Sequence, residues 1–296
     1  MELEEIEIKR NGNGIIITQE LIKYVCKQYT LGKSQLTIAK QLNCDDGTIR
    51  RILKKEGVHI RNDREQALKF KCNENYFSSI DTEDKAYWLG FLYADGYIRD
   101  KRKHSNYSWG LTLTESDKEH LVKLNNCIES DYDIKTYRHK KGSYNSKPYC
   151  KLLISSPKMA KDLIKYGVKV QKTEIIEFPY FLEEGLVRHF IRGYIDGDGC
   201  ITYHFNKNNT ITTKIGICGT KELLEGIKKY FKIEHLKLQQ KRSIKERGVN
   251  NYSLEIGGNK QVLKILDHLY GDSTIYLDRK YEKYLEFKTI YNTCRA

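Results

Sequence analysis

Apolar and polar side chains alternate with a period of two along four stretches in the second half of the chain, at 201–206, 211–217, 236–241 and 251–256. This period is typical of β-strands that bury one face and expose the other. The alternation therefore predicts an antiparallel sheet with its apolar face under helices and an open polar face. The side chains expected to face the helices from these strands include Tyr203, Phe205 and Leu238.

One pattern occurs twice in the chain. Residues 88–98 match residues 191–201, and every identical pair is separated by 103 positions. A helix cap follows each copy at the same spacing, in 114–121 and again in 219–224. The repeat predicts a duplicated unit, in which each copy runs helix–strand–strand–helix–strand–strand–helix. The identical residues are Gly90, Asp95, Gly96 and Ile98 in the first copy and Gly193, Asp198, Gly199 and Ile201 in the second.

Each copy begins with an apolar helix that is predicted to stop at an aspartate, Asp95 or Asp198. A glycine, Gly90 or Gly193, lies on the apolar side of each helix and lets two helix backbones come close. If the copies pack about a pseudo-twofold axis, the helices meet at these glycines and bring the two carboxylates side by side. Paired carboxylates are hard oxygen ligands that suit Mg²⁺. A divalent metal beside a phosphodiester polarises the phosphate and lowers the pKa of bound water.

The charge of the chain indicates the kind of partner. The 296 residues include 52 Lys and Arg against 39 Asp and Glu, a net charge of +13, which favours a polyanion. We expect no membrane partner, because no run of about 18 apolar residues occurs. The acidic start of the sequence is unlike a secretory signal, so we expect a cytoplasmic location, or a nuclear one. Hydrophobic residues make up 39% of the chain, enough for a folded core.

Cysteine and histidine spacing gives no sign of zinc or thiol chemistry. The eight cysteines are scattered and form no Cys-x-x-Cys pair, and the histidines are equally dispersed. Metal-binding and redox sites usually need such closely spaced pairs. We therefore expect the cysteines to act as small core side chains.

The open face of the predicted sheets is rich in cations and hydrogen-bonding side chains. A solvent-facing strand is often polar, but strand after strand of such residues in a basic chain indicates a DNA-reading surface, because strands fit the major groove. The first copy contributes Arg99, Lys101, Lys103, Lys135 and His139, and the second contributes Thr202, His204, Asn206, Thr212, Lys214, Lys237, Gln239 and Lys241.

Segments 88–96 and 191–199 resemble the motif of the LAGLIDADG homing endonucleases in their single-chain form, which has two motifs. The resemblance implies an α/β (α+β) saddle with pseudo-twofold symmetry, its two αββαββα repeats at 76–180 and 181–296. It further implies an enzyme that cuts both strands of a long double-stranded DNA site with Mg²⁺ or Mn²⁺. Because one chain holds both motifs, we expect a monomer with no obligate protein partner.

The resemblance also assigns residues of an active site. The acid at the eighth position of the motif, the metal ligand of the family, is Asp95 in the first copy and Asp198 in the second. An earlier acid of the motif is Asp196 in the second copy but is replaced by Tyr93 in the first; this position is not the essential ligand. The family also places a basic residue near each metal site, and the residues expected there are Lys172 and Lys280, with Arg279 close behind.

Two other functions are open to a chain of this fold. A DNA- or RNA-binding regulator or an intron maturase of the family does not cleave and often lacks one of the two acids, whereas both acids are present here. The endonuclease insert of an intein is disfavoured, because no splicing block flanks the motifs. The sequence therefore favours an active endonuclease.

Residues 1–60 predict a small all-α DNA-binding domain, followed by a linker at 61–75. Amphipathic helices are predicted at 18–29, 35–42 and 47–56, and the tight turn before the basic third helix resembles a helix-turn-helix of the resolvase type. A three-helix packing module is the alternative. We expect the third helix to enter the major groove and the linker to touch phosphate. The expected contacts are Thr48, Arg50, Arg51 and Lys54 in the helix and Arg61 and Arg64 in the linker.

Overall fold

The chain forms two compact units, Met1–Lys69 and Phe70–Ala296. A computed structural model describes residues 8, 10–11, 14–61, 70–100, 107–138, 147–169, 175–207, 210–240 and 249–293. No helix within these ranges is long and apolar enough to cross a membrane. The sequence-predicted site residues that lie outside the described ranges are Arg64, Lys101, Lys103, His139, Lys172 and Lys241.

The first unit contains a two-stranded antiparallel ribbon and three helices, namely β1 (Arg10–Asn11), β2 (Gly14–Ile15), α1 (Gln19–Thr30), α2 (Gln35–Leu42) and α3 (Asp46–Lys55). A side-chain oxygen caps each helix by accepting a backbone N–H of the first turn, from Thr18, Ser34 and Asp45. Asn43 ends α2 in the left-handed conformation, with φ 47°, and turns the chain into α3. The helices bury a core that includes Leu21, Val25, Ile38, Leu42, Ile49 and Leu53.

The first repeat of the second unit has the predicted order of elements. It consists of α4 (Glu83–Ala94), β3 (Tyr97–Asp100), β4 (Tyr107–Thr114), a 3₁₀ turn (Glu115–Asp117), α5 (Lys118–Cys127), β5 (Lys135–Tyr137), β6 (Tyr149–Ile154) and α6 (Pro157–Lys165). The strands form one antiparallel sheet in the order β3-β4-β6-β5.

The second repeat keeps this order with one difference. It consists of α7 (Glu184–Asp198), β7 (Gly199–Phe205), β8 (Ile211–Gly219), α8 (Lys221–Phe231), β9 (Tyr252–Gly257) and α9 (Asn259–Tyr270), and a closing helix, α10 (Asp278–Thr293), follows. The antiparallel sheet has the order β7-β8-β9. The predicted strand at 236–241 is wrong over its described part, where a single bridge from Gln239 to Ser253 takes its place.

Helices α4 and α7 pack against each other at their glycines, as the sequence predicted. A Cβ atom built on Gly90 would lie 2.0 Å from the carbonyl oxygen of Phe190, and one built on Gly193 would lie 2.0 Å from that of Tyr87. Each contact maps onto the other through the offset of 103 residues. The two repeats therefore meet through a pseudo-symmetric helix pair that admits no side chain at either glycine.

The predicted alternation is confirmed along β7 and β8 except at one end. Ile201, Ile215 and Ile217 are buried under the helices. Tyr203 is half-buried, and Leu238 packs against the same core. The prediction for Phe205 is wrong, because this side chain is 55% exposed. Phe205 lies in the last residue pair of the β7–β8 hairpin, opposite Ile211. Its ring makes an edge-to-face contact with the ring of Tyr203 rather than with a helix.

Candidate functional site

Two carboxylates lie at the ends of the paired helices. Asp95 directly follows α4, and Asp198 is the last residue of α7. The helices are still in contact at this level, since a Cβ atom on Gly197 would lie 2.2 Å from Ala94 Cβ and 3.4 Å from Asp95 Oδ2. Asp95 is half-buried and Asp198 is exposed. The structure thus brings the two predicted acids together where the repeats meet.

Tyr194, on α7, lies within electrostatic reach of both acids. Its phenol is buried and donates a hydrogen bond of 2.7 Å to the carbonyl oxygen of Cys218. Burial raises the pKa of this phenol well above its usual value, and the negative charges of Asp198 and Asp95 raise it further. The Tyr194 phenol is therefore close enough to both carboxylates for each to shift its pKa, which agrees with their placement at a single site.

A buried lysine holds the end of α7 that carries Asp198. Lys280, in α10, is 3% exposed. Its ammonium donates to three carbonyl oxygens, those of Ile195 (2.5 Å), Asp196 (2.7 Å) and Gly199 (2.6 Å). The last carbonyls of a helix lack partners within the helix, and a cation there opposes the negative end of the helix dipole. Burial lowers the pKa of Lys280 to about 8, although the Asp196 and Asp95 carboxylates act in the opposite direction.

Asp196, two residues before Asp198 on α7, is fully buried in a role that the sequence did not predict. Its carboxylate accepts three hydrogen bonds, from the hydroxyls of Tyr87 (2.7 Å) and Tyr270 (2.6 Å) and from the backbone N–H of Leu277 (2.8 Å). Burial raises the pKa of Asp196, while the charge of Lys280 opposes the shift. The Tyr87 hydroxyl also contacts His120 Nε2 at 2.9 Å. Burial lowers the pKa of His120 to about 3, so this ring is neutral at pH 7.

The first repeat has an uncharged contact at the position of Asp196. Tyr93 donates its hydroxyl to the carbonyl oxygen of Tyr166 at 2.6 Å, just beyond α6. The next residue, Gly167, has φ 94°, and a Cβ atom there would lie 1.9 Å from Tyr93 Oη. Both the backbone conformation and the close approach require glycine at this point.

Ion pairs join the start of α10 to the first repeat. Arg279, which the sequence placed near a metal site, has its Nε 3.0 Å from Asp117 Oδ2. Lys123 Nζ lies 2.6 Å from Asp278 Oδ1. Exposed ion pairs contribute little stability singly, but these two link residues of different repeats. They thereby tie the start of α10, which carries Lys280, to the first repeat.

The described residues that the sequence predicted as sheet contacts are almost all exposed. Those on β3, β5, β7 and β8 lie on the polar face, whereas Asn206, Lys237 and Gln239 lie outside the named strands. Thr212 is half-buried and accepts a hydrogen bond of 2.9 Å from Asn206 Nδ2. Lys214 Nζ lies 3.3 Å from Glu255 Oε2 on the neighbouring strand. The exposed members of the set are Arg99, Lys135, Thr202, His204, Asn206, Lys214, Lys237 and Gln239.

In the first unit, the predicted outward orientation of Thr48 is wrong. Thr48 is 6% exposed, because its hydroxyl donates to Asp45 Oδ2 at 2.6 Å as part of the cap of α3. Arg51 donates to the Thr48 hydroxyl at 2.8 Å. Arg50, Arg51 and Lys54 are exposed and line one shallow cleft along α3.

Arg61 closes the first unit rather than extending away from it. Its guanidinium lies 4.1 Å from the centroid of the Tyr29 ring and donates to the carbonyl oxygens of Gly32 and Lys33. Its backbone N–H donates to the Tyr29 hydroxyl at 2.8 Å. These contacts hold the loop between α1 and α2. The positive charge of Arg61, considered alone, does not predict this structural role.

A family model for the LAGLIDADG-like domain matches the chain twice, at residues 82–166 and 185–270. The chain belongs to the LAGLIDADG-like family. The two matches coincide with the two repeats and contain both acids of the site. The family therefore accounts for the fold, with its two antiparallel sheets and its paired motif helices.

Solved structures of LAGLIDADG proteins are similar to this chain at low identity. The I-LtrWI homing endonuclease bound to target DNA has 13% identity and a TM-score of 0.48, over 75% of this chain and 92% of that one. The meganuclease I-AabMI bound to uncleaved DNA has 13% identity and a TM-score of 0.47, over 71% and 90%. I-GzeII in complex with a DNA target has 14% identity and a TM-score of 0.43, over 73% and 90%. A search of curated proteins found no match in sequence.

Proposed function

We propose that this LAGLIDADG protein is a site-specific DNA endonuclease that makes metal-dependent double-strand breaks. The observation that supports the proposal is the meeting of Asp95 and Asp198 at the ends of two glycine-packed helices from duplicated halves. A double-strand break needs one cut in each strand of the duplex. Two acids related by a pseudo-twofold axis can supply one acid for each cut. The net charge of +13 and the exposed cations of both sheets favour a polyanionic substrate.

The acid pair fits a divalent metal such as Mg²⁺ or Mn²⁺. Asp95 and Asp198 offer carboxylate oxygens, the donors that these cations prefer, on side chains that are not fully buried. Within the described ranges, no group of three or more His, Cys, Asp or Glu is arranged to hold a metal. Water and phosphate would therefore complete the coordination, as is common for Mg²⁺ on nucleic acids. When bound, the metal would polarise the phosphate and lower the pKa of water.

The residues around the pair serve to position it. Lys280 fixes the backbone at the end of α7, and Asp196 ties the same helix to Tyr87 of α4 and Tyr270 of α9. Misplacement of a reacting group by about 1 Å can lower a rate about 100-fold, so a rigid support for each acid matters. The exposed sheet cations would bind the phosphates on either side of the cut and set the register of the duplex.

The first unit would add a second DNA contact as a helix-turn-helix domain at 1–60, joined to the second unit by the segment between Arg61 and Phe70. The turn between α2 and α3 and the basic outer face of α3 support this role. Arg50, Arg51 and Lys54 are the exposed candidates for the contact, although Arg51 also donates to Thr48, which is used in a helix cap. Because both acids come from one chain, the protein would act as a monomer.

The test is cleavage of a randomised library of DNA duplexes with Mg²⁺. We expect the wild-type protein to cut a subset of the library, and Asp95→Asn or Asp198→Asn to lose double-strand cleavage while binding is retained. The amide keeps the size of the side chain but removes a metal ligand and a repulsion toward phosphate. Asp272→Asn is the matched control, because this acid pairs with Arg188 on the surface. Cleavage at the wild-type rate in either active-site variant would refute the assignment, and binding without cleavage by the wild type would favour a regulator.

A further inference from the structure

The two sheets differ in the row of residues nearest the acid pair. Each sheet has one such row, which begins two residues after the acid of its repeat and runs across three paired strands. The two rows therefore occupy equivalent places in the duplicated fold. In the first repeat the row is Tyr97, Gly110 and Leu153, and in the second repeat it is Cys200, Gly216 and Glu255. All these positions alternate with buried neighbours and therefore lie on the polar face of their sheet.

In the first row an aromatic ring lies across the middle strand. A Cβ atom on Gly110 would lie 2.4 Å from the carbonyl oxygen of Leu152 and 2.8 Å from Tyr97 Oη, so a side chain there would meet both the neighbouring strand and the ring. The phenol oxygen is buried and makes no hydrogen bond within the part of the chain that the structure describes. The position of the ring is thus set by packing and not by its hydroxyl.

The ring of Tyr97 holds two cations. Arg99 Cζ and Lys151 Nζ each lie 5.1 Å from the ring centroid, one reaching it from β3 and the other from β6. A cation at this distance from an aromatic ring is attracted by its negative face. Both side chains also line a cleft of about 330 Å³ on the polar face, together with Lys135. Two flexible cations are thereby restricted to one ring, that of Tyr97, which lies two residues after Asp95.

The second row has no such arrangement. Cys200 is a small exposed side chain, and a Cβ atom on Gly216 would meet nothing within 4 Å. Glu255, the third member of the row, is paired with Lys214 at 3.3 Å. The space that Tyr97 fills in the first repeat is therefore open in the second.

We infer that Tyr97 is a positioning residue for specificity, which makes the first repeat read the base pair nearest its cut strictly and leaves the second repeat permissive there. The inference rests on the proposed endonuclease function. A restricted pair of cations selects guanine, because guanine presents two acceptors, O6 and N7, on one edge in the major groove. Loss of the ring frees Arg99 and Lys151 to contact phosphate, which carries no sequence information.

The experiment selects cleaved or bound sites from a randomised duplex library with the full-length wild type, Tyr97→Cys, Tyr97→Phe and Cys200→Ser. Tyr97→Cys gives the first row the residue of the second. Tyr97→Phe keeps the ring and removes only the unpartnered hydroxyl, so it is the rescue variant. Cys200→Ser is the matched control in the equivalent row. The readout is the guanine preference at the innermost read position of each half-site, with total affinity measured separately.

We expect the wild type to prefer guanine about tenfold or more in one half-site only. Tyr97→Cys is expected to reduce that preference at least about fivefold with total affinity changed less, and Tyr97→Phe to preserve it. A symmetric wild-type profile, or an unchanged profile in Tyr97→Cys, would overturn the inference and leave the endonuclease proposal intact. If Tyr97→Cys does not fold, loss of the preference in Tyr97→Phe would overturn it instead. Failure of the wild type to select any duplex would overturn both.

Discussion

The contact at Gly193 predicts a large effect from adding a single methyl group. A Cβ atom at this position would lie 2.0 Å from the carbonyl oxygen of Tyr87 and 2.9 Å from the backbone nitrogen of Phe91. An ordinary carbon–oxygen contact is about 3.3 Å, so the two helices would have to separate by about 1.3 Å. Both neighbours are backbone atoms, and no side chain can rotate to relieve the contact.

The loss of stability expected for Gly193→Ala is the net result of two opposing effects. Overpacking a core costs about 1–3 kcal/mol, and a contact with backbone lies at the upper end of that range. Replacing a helical glycine by alanine returns up to about 1 kcal/mol through helix propensity. We therefore expect Gly193→Ala to lower the free energy of unfolding by about 2 kcal/mol. Separation of the helices would also move Asp198 away from Asp95 and reduce cleavage by about 100-fold.

Urea unfolding, followed by far-ultraviolet circular dichroism, measures the stability. Gly185→Ala is the matched control, because Gly185 lies on the same helix and a Cβ atom there meets nothing within 4 Å. We expect the control to be neutral or stabilising by up to about 1 kcal/mol. If Gly193→Ala proved as stable as Gly185→Ala, with cleavage intact, the close packing of α4 and α7 would be refuted.

Three further predictions concern charged residues. The folded pKa of Lys280, about 8, lies below the value of 10.5 for an exposed lysine, so the unfolded chain binds more protons between these pH values. The unfolding free energy of the wild type should therefore rise with pH in this window relative to Lys280→Met, and a constant difference would contradict the pKa. Arg61→Ala should destabilise the first unit by about 1–2 kcal/mol in thermal unfolding, whereas Arg50→Ala should not. The double change of Arg50 and Lys54 to Ala should weaken DNA binding and make its logarithmic salt dependence shallower by about two units; an unchanged slope would exclude contact with phosphate.

The features that could be predicted from the sequence are those with a local or repeated signal. The offset of 103 residues related two helices that are distant in the chain, and the glycine in each indicated where their backbones approach. That contact also predicted that Asp95 and Asp198 lie close together, because each acid lies at the end of its helix. Duplication thus supplied long-range information that a single copy would have lacked.

The support of the site could not be predicted, because it depends on partners from several elements. Asp196 is bonded by groups from α4 and α9 and by a backbone N–H before α10, and no spacing in the sequence relates these three. The burial of Lys280 has the same origin. The signal available was only the family resemblance, which implied a basic residue near each metal site but not the role of Lys280 at the helix end.

The contacts that Thr48 and Arg61 make within the first unit could not be predicted for a related reason. Thr48 and Arg61 looked like DNA contacts because a polar residue on a basic segment is usually exposed. Each was instead used nearby, Thr48 in the cap of its own helix and Arg61 against the Tyr29 ring. Composition cannot distinguish a cation that faces solvent from one that completes a loop.

The two halves of the site have diverged in how they support equivalent acids. Behind Asp198 the structure has two buried charged groups with different partners. The Lys280 ammonium donates to backbone carbonyl oxygens at the end of α7, and the Asp196 carboxylate accepts from Tyr87, Tyr270 and the Leu277 N–H. At the position of Asp196, the first repeat has only the neutral hydroxyl of Tyr93. The position of Lys280 explains its burial, because its charge opposes the negative end of a helix whose last residue, Asp198, must itself carry a negative charge.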